Sequence, residues 1–211
     1  NEPKLALAVG SSGSVCVAGA FSGKTELNGQ DYLASGGGDI WLAGFDKGGE
    51  PLWQTRASCS GTASRPALAL GSDGLLCLAG DFSGSLTLGF LGIVSGGETD
   101  IFAAGLDSAG NWLWAEKTNG AKSENLLKLG LAKDGAFIIA GSSTGNLVLG
   151  GANIGSKPDG AGNVIFISRL GADGTWNWGS RLQQLSTDCF RKCFDTDAAG
   201  NTWFADNYYG N

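Results

Sequence analysis

The side chains that could do chemistry in this sequence are carboxylates, cysteines and tryptophans, because its 211 residues include no histidine. The missing histidine excludes Ser-His-Asp and Cys-His catalysis and any His-ligated metal. A catalytic base would have to be Asp, Glu, Lys or Tyr, and no non-repeating carboxylate pair indicates an acid/base dyad. The glycine clusters have no following helix and no GK[ST] motif, so they do not indicate a phosphate-binding loop. We therefore expect a non-enzyme with no catalytic residues, no metal and no cofactor.

The five cysteines divide into two groups by their surroundings. Cys16 and Cys77 lie in the apolar runs VCV and LCL and are expected to be small buried hydrophobes. Cys189 and Cys193 are four residues apart, and in an extended strand they would be separated by about 13 Å. That distance exceeds the reach of a disulfide, about 7 Å between Cα atoms. Cys59, in the loop-like sequence SCSG, is the more plausible partner for either.

One acidic segment resembles part of a calcium-binding loop. Asp195-Thr-Asp197-Ala-Ala-Gly-Asn201 matches part of that loop, but Ala199 stands where an oxygen ligand is needed. The segment also aligns with ordinary turns elsewhere in the chain. We expect a turn here and no metal.

Composition limits the possible partners. The formal net charge is −6 and the sequence pI about 4.6, which argues against a nucleic-acid surface. No apolar run approaches the roughly 18 residues needed to span a bilayer. Glycine, at 37 residues, disfavours helices but shows no collagen-like period of three.

The elements that must position any site form an internal repeat. Turn glycines recur at Gly13, Gly74, Gly135 and Gly200, in steps of 61, 61 and 65 residues. A second landmark is a tryptophan series, Trp53, Trp114 and Trp178, with steps of 61 and 64. Asp39-Ile-Trp-Leu-Ala-Gly-Phe-Asp matches the stretch from Asp100, and the stretch from Val164 follows more loosely. The predicted divisions are repeat 1 (residues 1–65), repeat 2 (66–124), repeat 3 (125–188) and the first half of repeat 4 (189–211).

Each repeat contains four short strand-like runs separated by turn signals. In repeat 1 these runs are Leu5–Val9, Val15–Phe21, Ile40–Phe45 and Leu52–Arg56. The second and third runs are apolar on both faces, as in strands that are covered on both sides. The pattern predicts an all-β chain, a β-propeller of four-stranded antiparallel blades. A β-sandwich or a parallel β-helix would not give this period.

Roughly three and a half blades are predicted, whereas a closed ring normally needs four or more. An open stack would leave apolar faces and unpaired edges exposed. We therefore expect a longer protein or a partner to complete the ring. A pair of chains is the arithmetical alternative, since fourteen strands twice over make seven blades.

The motifs AGDFSGSLTLG and TDIFAAGLDSAGNWLW of repeat 2 resemble the bacterial β-propeller repeats called SBBP repeats, and the resemblance covers essentially the whole chain. It implies a propeller within a large secreted or cell-surface bacterial protein, with no general catalytic residues. Ser143 and Gly171 depart from the pattern in repeat 3. LDSAGNWLW is also similar, more loosely, to the tryptophan-docking repeats of quinoprotein and outer-membrane-assembly propellers. A quinoprotein function is not expected, because the chain lacks an adjacent cysteine pair and is too short for such a ring.

Residues that recur in every repeat are expected to serve the fold. We expect Trp53, Trp114 and Trp178 to pack between adjacent blades. Asp46 and Asp107 should hydrogen-bond turn backbone. Asp39 and Asp100, which open the third strands, are likewise expected to be structural.

Residues that break the repeat are better candidates for binding. These are Trp112, Trp176, Asp206, Tyr208 and Tyr209, which could stack on sugar rings or anchor a protein, or else simply pack a blade interface. The long loops Lys24–Gly38, Ser85–Thr99 and Asn146–Asn163 should gather on one face, where recognition usually takes place.

The sequence thus favours a non-catalytic, secreted or cell-surface bacterial scaffold that binds a protein partner or itself. A periplasmic location is the alternative. The other functions left open are a carbohydrate-binding propeller and a non-catalytic domain of a larger secreted enzyme. We expect no nucleic-acid partner and no membrane span.

Overall fold

The computed structural model describes residues 5–155, 163–182, 194–196 and 202–204, and these residues form an all-β protein with antiparallel strand pairing. These residues contain no helix, and therefore no helix that could cross a membrane. The all-β prediction is confirmed. Closure into a propeller ring stays a prediction.

Three four-stranded units follow one another along the chain. Unit 1 comprises β1 (Leu5–Val9), β2 (Val15–Phe21), β5 (Asp39–Phe45) and β6 (Pro51–Cys59). Unit 2 comprises β7 (Ala63–Leu70), β8 (Leu76–Phe82), β11 (Asp100–Leu106) and β12 (Trp112–Lys117). Unit 3 comprises β13 (Glu124–Leu131), β14 (Phe137–Ser143), β17 (Val164–Leu170) and β18 (Trp176–Leu182). In each unit the strands are paired in chain order, so every unit is an up-and-down antiparallel sheet.

Each unit carries an inserted hairpin between its second and third strands. The hairpins are β3 (Lys24–Leu27) with β4 (Gln30–Leu33), β9 (Ser85–Leu88) with β10 (Leu91–Val94), and β15 (Leu147–Leu149) with β16 (Ala152–Gly155). They lie within the long segments that we expected to connect second and third strands, and these connections contain short strands that the sequence did not indicate. A last hairpin pairs β19 (Phe194–Thr196) with β20 (Thr202–Phe204).

Turn chemistry explains the hairpins. Asn28 and Gly29 have φ angles of 48° and 76°, and Gly150 and Gly151 have 53° and 84°. Two successive residues with positive φ make the type I′ turn that suits the twist of a two-residue hairpin. In the tight turns between third and fourth strands, Asp46 Oδ1 accepts hydrogen bonds from the N–H groups of Gly48 (2.7 Å) and Glu50 (2.9 Å).

Asp107 forms the same turn in unit 2. Its Oδ1 accepts from the N–H groups of Ala109 and Asn111, both at 2.9 Å. Hydrogen bonds from Asn111 are the main reason that the pKa of this carboxyl is lowered. The prediction that Asp46 and Asp107 brace turn backbone is confirmed.

The apolar core lies between the units as well as within them. β8, β11 and β14 are buried along their whole length, so both faces of these strands pack against protein. One cluster joins unit 1 to unit 2 and includes Ala18, Leu42 and Phe102. A second joins unit 2 to unit 3 and includes Ile101 and Phe166. Unit 2 therefore lies between its neighbours, with its two faces against unit 1 and unit 3.

Candidate functional site

Two tryptophans on outer strands join each unit to the one that follows. Trp53 of unit 1 donates its Nε1–H to the carbonyl of Ser108 in unit 2, at 3.0 Å. Trp114 of unit 2 donates in the same way to the carbonyl of Ala172 in unit 3, at 2.8 Å. Both acceptors lie in the turn between third and fourth strands. The predicted packing between repeats is confirmed for Trp53 and Trp114.

A glycine in the same turn makes room for each ring. Gly110 has a φ of 82°, and a Cβ added to it would lie 2.6 Å from Trp53 Cδ2. Gly174 has a φ of 84°, and its added Cβ would lie 2.9 Å from Trp114 Cδ2. Glycine is therefore required here for backbone conformation and also for space.

Trp178 does not follow this arrangement. Within the unit sheets, Trp53 pairs with Gly44 and Trp114 with Gly105, so each ring covers a residue without a side chain. Trp178 instead pairs with Arg169. The Trp178 side chain is 46% exposed. Arg169 thus replaces the glycine beneath the ring. Packing of Trp178 against a following repeat stays a prediction, because the described residues include no third-to-fourth-strand turn after unit 3.

Trp112 and Trp176 hold the inserted hairpins and do not present open rings. Trp112 is only 5% exposed; its Nε1–H donates to Thr55 Oγ1 at 3.2 Å, and its ring packs against the hairpin turn at Gly89. Trp176 is half-buried and packs against Gly150, the equivalent turn of unit 3. Of the two roles left open for Trp112, binding or packing, its burial favours packing, because the segment that follows β8 folds back as a hairpin over it.

Three further candidates, Asp206, Tyr208 and Tyr209, lie outside the described residues. The calcium-like segment Asp195–Asn201 also lies largely outside them. Within the described ranges, no group of three or more Cys, Asp or Glu side chains is placed to hold a metal ion.

Asp39 opens the third strand of unit 1 and ties two loops together. Its Oδ1 accepts from the Cys59 N–H at 2.8 Å, and its Oδ2 accepts from the Ser35 N–H at 3.1 Å. The Arg56 guanidinium lies 3.6 Å from the same carboxylate. Since Asp39 is fully buried, these partners compensate the loss of water, and the expected structural role fits.

At the equivalent position in unit 2, Asp100 forms a buried carboxylate pair with Glu124, the first residue of unit 3, and sequence reasoning missed this pair. Asp100 and Glu124 are both fully buried, and their carboxyl groups interact directly. Asp100 Oδ2 accepts from the Gly96 N–H at 2.8 Å and lies 3.3 Å from Lys117 Nζ. Its Oδ1 has no hydrogen-bond partner among the described residues. A protonated Glu124 would donate a hydrogen bond to the Asp100 carboxylate.

Burial raises the pKa of Glu124 to about 7, and the nearby Asp100 charge adds to this effect. A hydrogen bond of 2.9 Å from Ser143 Oγ to Glu124 Oε1 opposes it. Repeat 1 has Ala63 at the position that lies 61 residues before Glu124. This replacement of alanine by glutamate was the sequence signal that could have indicated the carboxylate pair. The pair is enclosed between strands.

A second polar contact joins units 2 and 3. Arg65, at a φ of 51°, places Nη1 3.0 Å from Asp81 Oδ2 and donates to Asn125 Oδ1 at 3.0 Å. Asp81 Oδ1 accepts from the Leu126 N–H at 2.6 Å. Sequence reasoning missed this cluster too. The signal was again a broken repeat, because Asp81 stands where repeat 1 has Ala20.

The described cysteines are free, buried thiols. Cys16 and Cys77 are buried as predicted. Cys59 ends strand β6, where its Sγ–H donates to the Ser83 carbonyl at 3.1 Å and burial raises its pKa. Cys59 is therefore buried at the end of a strand, whereas its sequence context suggested a loop. Cys189 and Cys193 lie outside the described residues.

The surface offers a cleft and a projecting hairpin tip. The cleft, about 240 Å³ in volume, lies between the turns of units 1 and 2, and its lining includes Ser12, Ser72 and Trp53. The tip is Phe90, which directly follows Gly89 and is 85% exposed. Because Trp112 packs against that turn, the phenylalanine projects from a rigid support.

Comparison with known proteins finds similarity to a distant relative. No protein-family model matches the sequence. The chain is 28% identical over 173 residues to "Regulatory protein FlaEY" of Caulobacter vibrioides. The match covers 78% of this chain but only 18% of that protein, so the chain corresponds to a small part of its relative's length.

Proposed function

We propose that this chain is a non-catalytic, β-propeller-type scaffold whose hairpin tips bind a protein partner. The observation that carries the proposal is Phe90, an apolar side chain that is 85% exposed on a turn packed against the buried Trp112. Aromatic side chains dominate contact energy at protein interfaces. A rigid support lowers the entropy lost on binding.

The carboxylates support the non-catalytic part of the proposal. Asp39, Asp81, Asp100 and Glu124 are buried, and each is engaged by neighbouring backbone or side chains at the ends of strands. A catalytic carboxylate has to reach a substrate, whereas these groups hold loops and units together. The relative is named a regulatory protein, a name that states no catalytic activity.

The propeller architecture and the location are also part of the proposal. Units of four antiparallel strands that pack face to face in chain order are what consecutive blades require. A secreted or cell-surface location follows from the resemblance to SBBP repeats, with the periplasm as the alternative.

The test compares Phe90→Ser with a matched control, Leu113→Ser. Leu113 is also exposed, at 50%, but it lies on strand β12 and not at a hairpin tip. Immobilised native protein and both variants are incubated with the extracellular and surface fraction of the source cells, and retained proteins are quantified by mass spectrometry. We expect a partner that the native protein and Leu113→Ser retain and Phe90→Ser loses. Identical retention by all three proteins would contradict the proposal, as would turnover of a substrate.

The cleft between units 1 and 2 favours a second function, carbohydrate binding. Serine hydroxyls beside an aromatic ring are groups that bind sugars. A glycan array tests this function, with Ser72→Tyr as the variant that fills the cleft. Glycans bound by the native protein and lost in the variant would favour the lectin function, and an array without binding would eliminate it.

A further inference from the structure

The junctions between units follow one direction along the chain. The outer-strand tryptophan of each unit inserts over the glycine of the next unit's turn and donates to a carbonyl two residues before that glycine. Trp53 uses Gly110 and Ser108, and Trp114 uses Gly174 and Ala172. Each unit therefore presents an acceptor turn towards the unit that precedes it.

Unit 1 has the same acceptor turn, and it is open. Gly49 has a φ of 87°, matching the 82° of Gly110 and the 84° of Gly174. Lys47 stands two residues before it, as Ser108 does before Gly110. A Cβ added to Gly49 would meet no described atom within 4 Å, whereas the same addition at Gly110 meets Trp53.

The first strand of unit 1 supplies the apolar part of the same face. Leu5, Leu7 and Val9 alternate along β1 and are 64%, 63% and 60% exposed. In the 61-residue register, Leu68 corresponds to Leu7 and Leu70 to Val9. Both of these unit 2 residues are partly buried against the core shared with unit 1. The residues that bury one junction are thus exposed on this face.

The β3–β4 hairpin of unit 1 is not paired with a strand of a preceding unit among the described residues. In unit 2, β9 pairs with β6, the outer strand of the preceding unit, through Ala57 with Leu88 and Cys59 with Leu86. In unit 3, β15 and β16 form a separate two-stranded sheet, but the Asn119 N–H of unit 2 donates to the Val148 carbonyl of this hairpin at 3.1 Å. In unit 1, β3 and β4 also form a two-stranded sheet of their own. The outer edge of β3 corresponds to the paired edge of β9.

We propose that this face of unit 1 is a docking site for one further repeat of the same kind, whose outer-strand tryptophan packs over Gly49 and donates to the Lys47 carbonyl. We call this surface, formed by β1, the Lys47–Gly49 turn and the β3 edge, the front face. The occupant follows from continuity with the two junctions already present in the chain. The proposal concerns the fold and is independent of any partner at Phe90, so one can fail without the other.

The test adds a repeat to the complete chain in the natural register. Residues 63–123 make up 61 residues, and residue 63 corresponds to residue 2, so a copy of residues 63–123 is fused directly ahead of Glu2. The variant Gly49→Asn is then made in the native and extended chains. Asparagine tolerates positive φ, as Asn28 shows at 48°, so the substitution mainly adds a side chain to the docking surface.

We expect the extended chain to unfold at a higher denaturant midpoint than the native chain. Gly49→Asn should leave the native midpoint nearly unchanged and should lower the extended one, as Gly110→Asn lowers it in the native chain. Leu7→Ser provides a second measurement: it should leave the midpoint of the native chain nearly unchanged and lower that of the extended chain. The proposal would be overturned if the extended chain had a denaturant midpoint equal to or lower than that of the native chain. It would also be overturned if Gly49→Asn and Leu7→Ser lowered the midpoint by the same small amount in both chains. Sedimentation provides a further test. If the native chain self-associates and Leu7→Ser abolishes the association, the proposal is overturned, because a second copy of the chain then occupies this face.

Discussion

The buried carboxylate pair makes the stability of this protein depend on pH in a direction opposite to that of most acidic groups. Replacing Glu124 by Gln removes the titrating group but keeps its shape and hydrogen bonds. The amide oxygen can still accept from Ser143 Oγ, which lies 2.9 Å from Glu124 Oε1. The amide nitrogen can donate to Asp100, as the protonated acid does.

The magnitude follows from the pKa of Glu124, which rises from 4.5 to about 7 on folding. Because the folded pKa is the higher one, the folded state binds the extra proton between these two values. Its stabilising effect is complete below pH 4.5 and is lost as the pH rises to 7. At 1.36 kcal/mol per pKa unit, the loss is about 3 kcal/mol for the coupled pair.

The assay is urea denaturation of the native protein and Glu124→Gln at a series of pH values from 4 to 8. We expect similar free energies of unfolding at pH 4 and a more stable variant at pH 8, by up to about 3 kcal/mol. Asp100→Asn should weaken the pH dependence without removing it, because burial is the larger cause of the shift. A difference between native protein and Glu124→Gln that is the same at every pH would refute the reasoning.

Three other predictions follow from the junctions and the core. Gly110→Asn should lower the free energy of unfolding by about 1–3 kcal/mol through overpacking against Trp53, and an effect no larger than that of Gly49→Asn in urea denaturation would contradict this. Trp112→Ala should cost about 3–5 kcal/mol by opening a cavity, so calorimetry that shows an unchanged melting temperature would contradict the burial of this ring. Cys77, whose thiol pKa is raised by complete burial, should react with iodoacetamide only after unfolding, and rapid labelling of the folded protein would count against it.

The strands of unit 1 could be predicted from sequence because alternation and turn glycines are local signals. Leu5–Val9 and Val15–Phe21 match the structure, and the third strand starts one residue earlier than predicted, at Asp39. The hairpin at Lys24–Leu33 was missed. Its strands are four residues each and mostly polar or exposed, so they give little periodic signal.

The junctions were only partly predictable. The tryptophan period indicated packing between repeats, and the stretch from Val164 aligns Arg169 with Gly44. Only the sheet register shows that this position pairs with Trp178. Glu124 and Asp81 break the repeat and were not recognised, since a lone carboxylate in sequence does not reveal its burial. The burial of Trp112 depends on the hairpin folding back over it, which is a tertiary effect.

The docking of outer-strand tryptophans onto the next unit is the central claim, and indole hydrogen exchange measured by NMR tests it most directly. The Nε1–H groups of Trp53 and Trp114 donate to carbonyls of the following unit at 3.0 and 2.8 Å, so we predict slow exchange for both. Trp178, which is 46% exposed, should exchange much faster. Equal exchange rates for all three indoles would contradict the account.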